Sequence, residues 1–167
     1  MPNHGRQNPR QAGQTRGGHG GAAPTSVPVA TRIQYFMDSE KQKLDPVLVD
    51  AKAQEWASSF VFVRREDTPL KTTQMRRFYD DLKAIERRIL LGKDVHAQQA
   101  NFERDRALIL MFKAKAVYAE KRRVSPRAFT QFIFDHMESI KELRDFQAFL
   151  KIFEAVVAFH RFFSEER

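Results

Sequence analysis

Leu70-Lys71-Thr72-Thr73-Gln74-Met75-Arg76-Arg77-Phe78-Tyr79 is the stretch on which the fold turns. Met75, Phe78 and Tyr79 are followed by Leu82, Ile85 and Ile89, at steps of three and four residues. Such spacing returns to one side of a 3.6-residue helix, so these side chains form one apolar face. By the same period Arg76, Lys83 and Arg87 fall together on one flank of that face. A core-facing stripe edged with cations suits a helix that packs on other helices and turns its charge toward a polyanion. It does not suit the wall of a catalytic cleft.

The signals on either side extend the helical reading. Thr68-Pro69 breaks the chain upstream, Thr72 is placed to cap this second helix, and Gly92 marks its C-terminal stop. Asp45-Pro46 reads as an N-cap followed by proline at the first helical position. A first helix then runs to about Ser59, burying Val49, Ala53, Trp56 and Phe60. Downstream, a third helix covers roughly His96 to Arg122. Its segment Ala107–Ala119 is apolar on nearly every side, which predicts burial by several neighbours. Ser125-Pro126 repeats the cap-plus-proline signal and opens a fourth helix, with Phe129, Phe132, Ile133, Met137 and Ile140 on one face. A fifth helix from about Leu143 to Phe163 turns Phe146, Phe149, Leu150, Phe153, Val156, Val157, His160 and Phe163 inward.

Gly92 is the one glycine beyond residue 30, and no strand-like Val/Ile/Thr alternation occurs. The expected fold class is therefore all-α, a five-helix bundle over residues 31–167. Residues 1–30 hold six of the seven Gly and four of the seven Pro, and their only charged side chains are Arg6, Arg10 and Arg16. So little apolar surface cannot offset the entropy of ordering, so this basic Gly/Pro-rich tail is expected to be disordered. Its Arg residues either add weak, salt-sensitive affinity for RNA or are simply solvated.

Charge and composition narrow the function. Lys and Arg outnumber Asp and Glu by 29 to 21, and the resulting net charge of +8 favours nucleic acid as partner. Cys is absent, which excludes disulfides, thiolate chemistry and Cys-based zinc sites. Apolar runs such as Ala107–Phe112 are too short to span a bilayer, and the N-terminus lacks a secretion-signal core. The expectation is a cytoplasmic protein with no membrane partner.

A search for catalytic constellations finds none. No Gly-rich phosphate loop exists. Asp135 and His136 are adjacent, so they point different ways on a helix and cannot jointly hold a metal. Glu154 and His160 stand six residues apart on different sides of helix five, and His160 reads as a half-buried residue beside Phe163. No catalytic residue, metal or cofactor is expected; a small metal-dependent nuclease would need a carboxylate cluster the chain does not offer.

The basic residues carry more. Helix three aligns Arg104, Lys115 and Arg122 and ends in Lys121-Arg122-Arg123, with Arg127 close behind and no acid between Glu120 and Asp135. Helix two adds Lys71, Arg76, Arg77, Lys83, Arg87 and Arg88. Long cations aimed at one side suffice for phosphate contacts that read shape rather than bases. Asp80, four residues from Arg76 and three from Lys83, offers the competing outcome of ordinary intrahelical pairing.

Three blocks in order give a resemblance. Leu70-Lys71-Thr72-Thr73-Gln74-Met75-Arg76 with Phe78-Tyr79 resembles the second-helix signature of the small subunit of type III-A CRISPR effector (Csm) complexes. Lys113-Ala114-Lys115-Ala116-Val117-Tyr118-Ala119 with Arg122-Arg123 is similar to that family's mid-chain motif. Phe153-Glu154-Ala155-Val156-Val157-Ala158-Phe159-His160-Arg161 is similar to its C-terminal helix, with Phe159 where the family often has Tyr. The likeness runs from about Asp45 to the C-terminus.

The resemblance implies a helical, non-catalytic subunit that stacks in copies inside an antiviral ribonucleoprotein. Its partners would be the guide (CRISPR) RNA, the target RNA and the other subunits of the complex, with cutting left to those subunits. Matched position by position, the RNA-binding candidates are Lys71, Gln74, Arg76 and Arg77, then Lys113, Lys115, Arg122 and Arg123, then His160 and Arg161. The uncompensated run adds Lys121 and Arg127. The Phe-rich faces serve either the core or subunit contacts, and self-association by helix exchange is compatible with the pattern. The alternative function is a helical interaction module whose basic face meets an acidic protein.

Overall fold

The computed structural model describes residues 26–165, so the expectation of disorder over residues 1–25 lies outside the described residues. The five expected helices are present, two of them interrupted once. The first divides at Asp50 into α1 (Pro46–Val49) and α2 (Ala51–Val61). The second is α3 (Thr72–Leu90). The third divides at Met111 into α4 (Val95–Leu110) and α5 (Phe112–Lys121). The fourth is α6 (Arg127–Ser139), and the fifth is α7 (Leu143–Glu165). No strand occurs among the described residues, whose one β feature is an isolated bridge between Phe36 and Leu44.

The expected apolar stripes become the core. Helix α7 packs most heavily on α2 and α3, while α5 lies on α6. Met75, Phe78, Leu82, Ile85 and Ile89 are buried, as are Phe129, Phe132, Ile133, Met137 and Ile140. Between α6 and α7 the rings of Phe129, Phe132, Phe149 and Phe153 lie 5.4 to 6.3 Å apart. Full burial of each such ring is worth about 1.5–3 kcal/mol, so this cluster anchors the bundle. Most Phe residues therefore go to the core; Phe62 and Phe162 remain exposed.

Several local expectations are corrected. Asp45 does cap α1, accepting from the Val47 N–H. Thr72, however, is the first residue of α3, and the N-cap is Lys71, which makes no side-chain capping bond. At the second cap-plus-proline signal the cap position falls to Pro126, and the Ser125 hydroxyl is buried without a partner. The capping acceptor arrives from 60 residues away instead, where the Asp67 carboxylate accepts from the Arg127 N–H at 3.1 Å.

Gly92 ends α3, but not through the left-handed conformation that usually selects glycine. A Cβ there would sit 2.6 Å from the Gln98 backbone nitrogen, so close approach of α4 is what requires it. The segment Ala107–Ala119 is not buried on every side. Met111 has ψ −16°, short of the helical value, and the chain separates there into two helices. Leu108, Leu110 and Met111 are left exposed, as are Leu91 (81 %) and Val95 (78 %) at the α3–α4 turn.

An N-terminal strap, residues 26–45, crosses α6 and α7. The Thr31 and Ile33 N–H groups donate to Asp135 Oδ1 and Ser139 Oγ, at 2.7 and 2.8 Å. Tyr35 is buried with its hydroxyl 2.9 Å from His136 Nδ1, and Lys41 pairs with the buried Asp145 at 2.8 Å. Ser26–Ala30, assigned to the tail from sequence, are part of this strap: the Ser26 carbonyl accepts from Arg127 and the Val29 carbonyl from Gln131.

Candidate nucleic-acid interface

Helices α3 and α5 enclose a groove of about 310 Å³ that gathers residues from the first two of the three sequence blocks. Gln74 and Arg77 line it from α3, Lys115 and Arg122 from α5, with Phe78 and Ala119 in contact with its walls. The pairing follows from the apolar stripes. Phe78 packs on Phe112 of α5 with ring centroids 6.1 Å apart, which sets the flanking cations of the two helices across from each other.

The last turn of α5 divides its charge. Arg122 faces the groove, while Lys121 and Arg123 line a second hollow with Ser26, Val27 and Arg127. Arg123 holds φ 55°, a left-handed conformation that costs a side-chain-bearing residue about 1–2 kcal/mol. It closes the helix in a Schellman turn: the Val124 N–H donates to the Ala119 carbonyl and the Arg123 N–H to the Glu120 carbonyl. Cations here also complement the negative end of the helix dipole, so part of their role is structural.

Ion pairing separates the candidates. Lys115 reaches Asp81 at 3.0 Å across the groove, with both side chains about half exposed. Arg127 donates to Glu120 at 3.2 Å and to the Ser26 carbonyl at 2.8 Å. Lys113 bonds Glu138 at 2.9 Å on the α6 side, well away from the groove, and holds that carboxyl below its usual range. Arg161 pairs with Glu165 at the end of α7. Lys71, Arg76, Arg77, Lys121, Arg122 and Arg123 are exposed and form no ion pair among the described residues. Lys71 stands at the start of α3 beside Ser164, apart from both hollows.

Pairing within helices occurs, but with partners other than Asp80. Asp80 joins neither Arg76 nor Lys83; Lys83 turns to Glu86, and the groove carboxylate is Asp81. The run after Glu120 lacks acids, yet Glu120 itself folds onto Arg127. Arg104 does not line up with Lys115 and Arg122 as a binding row. Together with Arg88 it holds Asp105, a buried carboxylate kept below its usual range by the Arg104 bond. Arg88 reaches this carboxylate from α3 and so pins the two helices, while Arg104 pairs with it within α4.

His160 is wholly buried rather than half-buried. Its Nε2 lies 2.9 Å from the Leu70 carbonyl, so that nitrogen carries the proton and ties α7 to the start of α3. Burial lowers its pKa, which keeps the ring neutral. Asp135 and His136 diverge as adjacent helical residues must, Asp135 toward the strap backbone and His136 into the core. Among the described residues no group of His, Asp or Glu is arranged to hold a metal ion, and no helix is long and apolar enough to cross a membrane.

Tyr118 is the groove residue that sequence reasoning passed over. It is 64 % exposed, and the Arg122 guanidinium lies 5.5 Å from its ring centroid. The signal was available: Lys115 is three residues before it and Arg122 four after, so all three share one helical face. Arg64, which lines a hollow beside Arg123 and Arg127, sits in a loop with no periodic signal to find it.

No curated protein and no solved structure matches the chain. The family model Csm2 Type III-A matches residues 43–166, which include both walls of the groove, all three sequence blocks and the whole of α7. The chain belongs to the Csm2 Type III-A family and is thus a small subunit of the type III-A Csm effector complex.

Proposed function

We propose that the protein grips the guide RNA–target RNA duplex by its backbone, without cutting it, as a cytoplasmic component of antiviral defence. The groove between α3 and α5 carries this reading, because it places Gln74, Arg77, Lys115 and Arg122 from two distant sequence blocks on one surface. Arg77 and Arg122 reach solvent without a carboxylate partner among the described residues, while Asp81 of the same groove is held by Lys115. Exposed Tyr118 adds a flat ring against which a ribose can rest. Phosphate contacts of this kind are indifferent to sequence and release counterions, so affinity for RNA should fall steeply with salt.

Filter binding to an RNA duplex over a salt series tests the reading. Replacing Lys121, Arg122 and Arg123 together with Ala should weaken binding and flatten its salt dependence, with the helical circular-dichroism signal retained. An affinity that ignores salt would overturn it.

The alternative, an acidic protein on the basic face, draws on the fact that Lys115 and Arg127 already take carboxylates within the chain. A partner still captured after nuclease treatment, and no longer captured by the triple variant, would favour that alternative.

A further inference from the structure

We propose that the hollow between the α2–α3 loop and the α5–α6 turn receives a base of unpaired RNA, stacked on the ring of Phe62, with Arg64 and Arg123 on the flanking phosphates. This rests on the RNA-binding reading above for its class of ligand, and not on the α3–α5 groove. The hollow measures about 900 Å³, within the usual range of small-ligand clefts. Phe62 lines it and is 58 % exposed, although a ring of that size gains most from burial. Its aromatic neighbour is Phe163, with centroids 5.9 Å apart, and Phe163 in turn meets the exposed Phe162 at 5.5 Å. Three rings are thus contiguous at this end of the bundle.

Backbone bonds hold Phe62 where it is. Its N–H donates to the Ser58 carbonyl at 2.8 Å as α2 ends, and the Leu70 N–H donates to the Phe60 carbonyl at 2.9 Å. Within the loop the Asp67 N–H donates to the Arg64 carbonyl, and Asp67 Oδ2 ties the loop to the Arg127 N–H at 3.1 Å. A ring exposed on so braced a loop is a pre-formed stacking surface, and little entropy is lost when a base settles on it.

Charge decides which part of a nucleotide belongs inside. Glu66, Asp67 and Glu120 share the lining with Arg64, Arg123 and Arg127. Asp67 accepts from the Thr68 and Arg127 N–H groups, and Glu120 is held by the Arg127 guanidinium. Three acids against three cations suit a neutral base better than a phosphate. Arg64 and Arg123 are exposed and form no ion pair among the described residues, which suits them to the phosphates on either side. Arg123 also lines the hollow that holds Lys121, so the site is continuous with the basic turn. Every base offers a flat face to an aromatic ring, so the ligand is single-stranded RNA without regard to sequence. A protein segment on the same rings is the rival occupant.

The experiment uses the full chain and three probes: a short single-stranded RNA that cannot pair with itself, an abasic strand of equal length, and an RNA duplex. Phe62→Ala should weaken the single strand about 5- to 150-fold and leave the abasic strand and the duplex nearly unchanged. Phe62→Trp should keep the wild-type affinity. An unchanged single-strand affinity in Phe62→Ala would overturn the site, and is the result expected if the rings dock a protein segment. Equal losses on all three probes would also overturn it, since the ring would then act through the fold. Arg64→Ala should weaken the single strand and the abasic strand alike; no loss on either would overturn the phosphate role assigned to that residue. Duplex binding that ignores salt would remove the groove reading, and a Phe62-dependent affinity for the single strand would survive it.

Discussion

Asp81 and Lys115 face each other across the groove, and their pairing is a competitor to RNA rather than a support for the fold. An ion pair this exposed is worth at most about 1 kcal/mol, while its carboxylate repels any phosphate entering the groove. Asp81→Asn should therefore tighten RNA binding several-fold and leave thermal stability nearly unchanged; weaker binding in a filter assay would mean the groove is not the phosphate site. Arg123 shows the opposite compromise. Its left-handed backbone would suit glycine, so Arg123→Gly should raise stability by about 0.5–1 kcal/mol in chemical denaturation. The same exchange removes a cation beside the strap and should weaken RNA binding. A variant that gains stability and keeps full affinity would show that this Arg does not touch the RNA.

Among the elements, the α3–α4 connection is the least forgiving. Gly92 allows the first turn of α4 to come within contact of the end of α3, and the Asn101 side chain then donates to the Ile89 carbonyl at 3.1 Å. A methyl group at Gly92 would meet backbone, which cannot move aside as a side chain can. Gly92→Ala is expected to cost about 1–3 kcal/mol, measured as a fall in the denaturation midpoint. The conformational entropy of the unfolded chain alone points the other way, favouring Ala over Gly, so the sign of the change tests the packing argument. The end of α5 is fixed by the chain itself. Its Schellman turn, built by Ala119, Glu120, Arg123 and Val124, holds the three terminal cations in place through backbone bonds alone.

For the whole molecule, the seal between strap and bundle sets the response to acid. His136 is enclosed by Tyr35 of the strap, Trp56 of α2, Phe132 of its own helix and Phe149 of α7, and burial pushes its pKa down to about 3. Its Nε2 has no hydrogen-bond partner, so nothing in the core would stabilise an added proton. The unfolded chain takes up that proton near pH 6.5 and the native protein does not. Stability from this residue is thus complete above about pH 6.5 and declines as pH falls toward 3, by up to about 1.4 kcal/mol per unit. Between about pH 6.5 and 5 the wild type should lose about 2 kcal/mol from this source. His136→Phe should lose that much less over the same range in urea titrations. Parallel pH profiles for the two proteins would mean that the strap opens before His136 is protonated.

Periodicity decided the secondary structure and most of the core. Met75 through Ile89 on α3 and Phe146 through Val156 on α7 could satisfy their spacing only by turning inward, because no other arrangement removes that apolar area from water. The same regularity set Lys115 and Arg122 on one face, but the break at Met111 took Arg104 out of that row; the three ordered blocks indicated the family. Bonding between elements was not legible, since those partners meet only in space: Asp81 for Lys115 is 34 residues away, and Asp67 for the Arg127 backbone N–H is 60. Nor was the strap, whose Ser26–Ala30 have a tail's composition and are held by backbone bonds that any residues could make. The tertiary structure alone decided which cations are unpaired among the described residues and where the strap lies on the bundle, because both depend on how the helices pack and not on the period of any one of them.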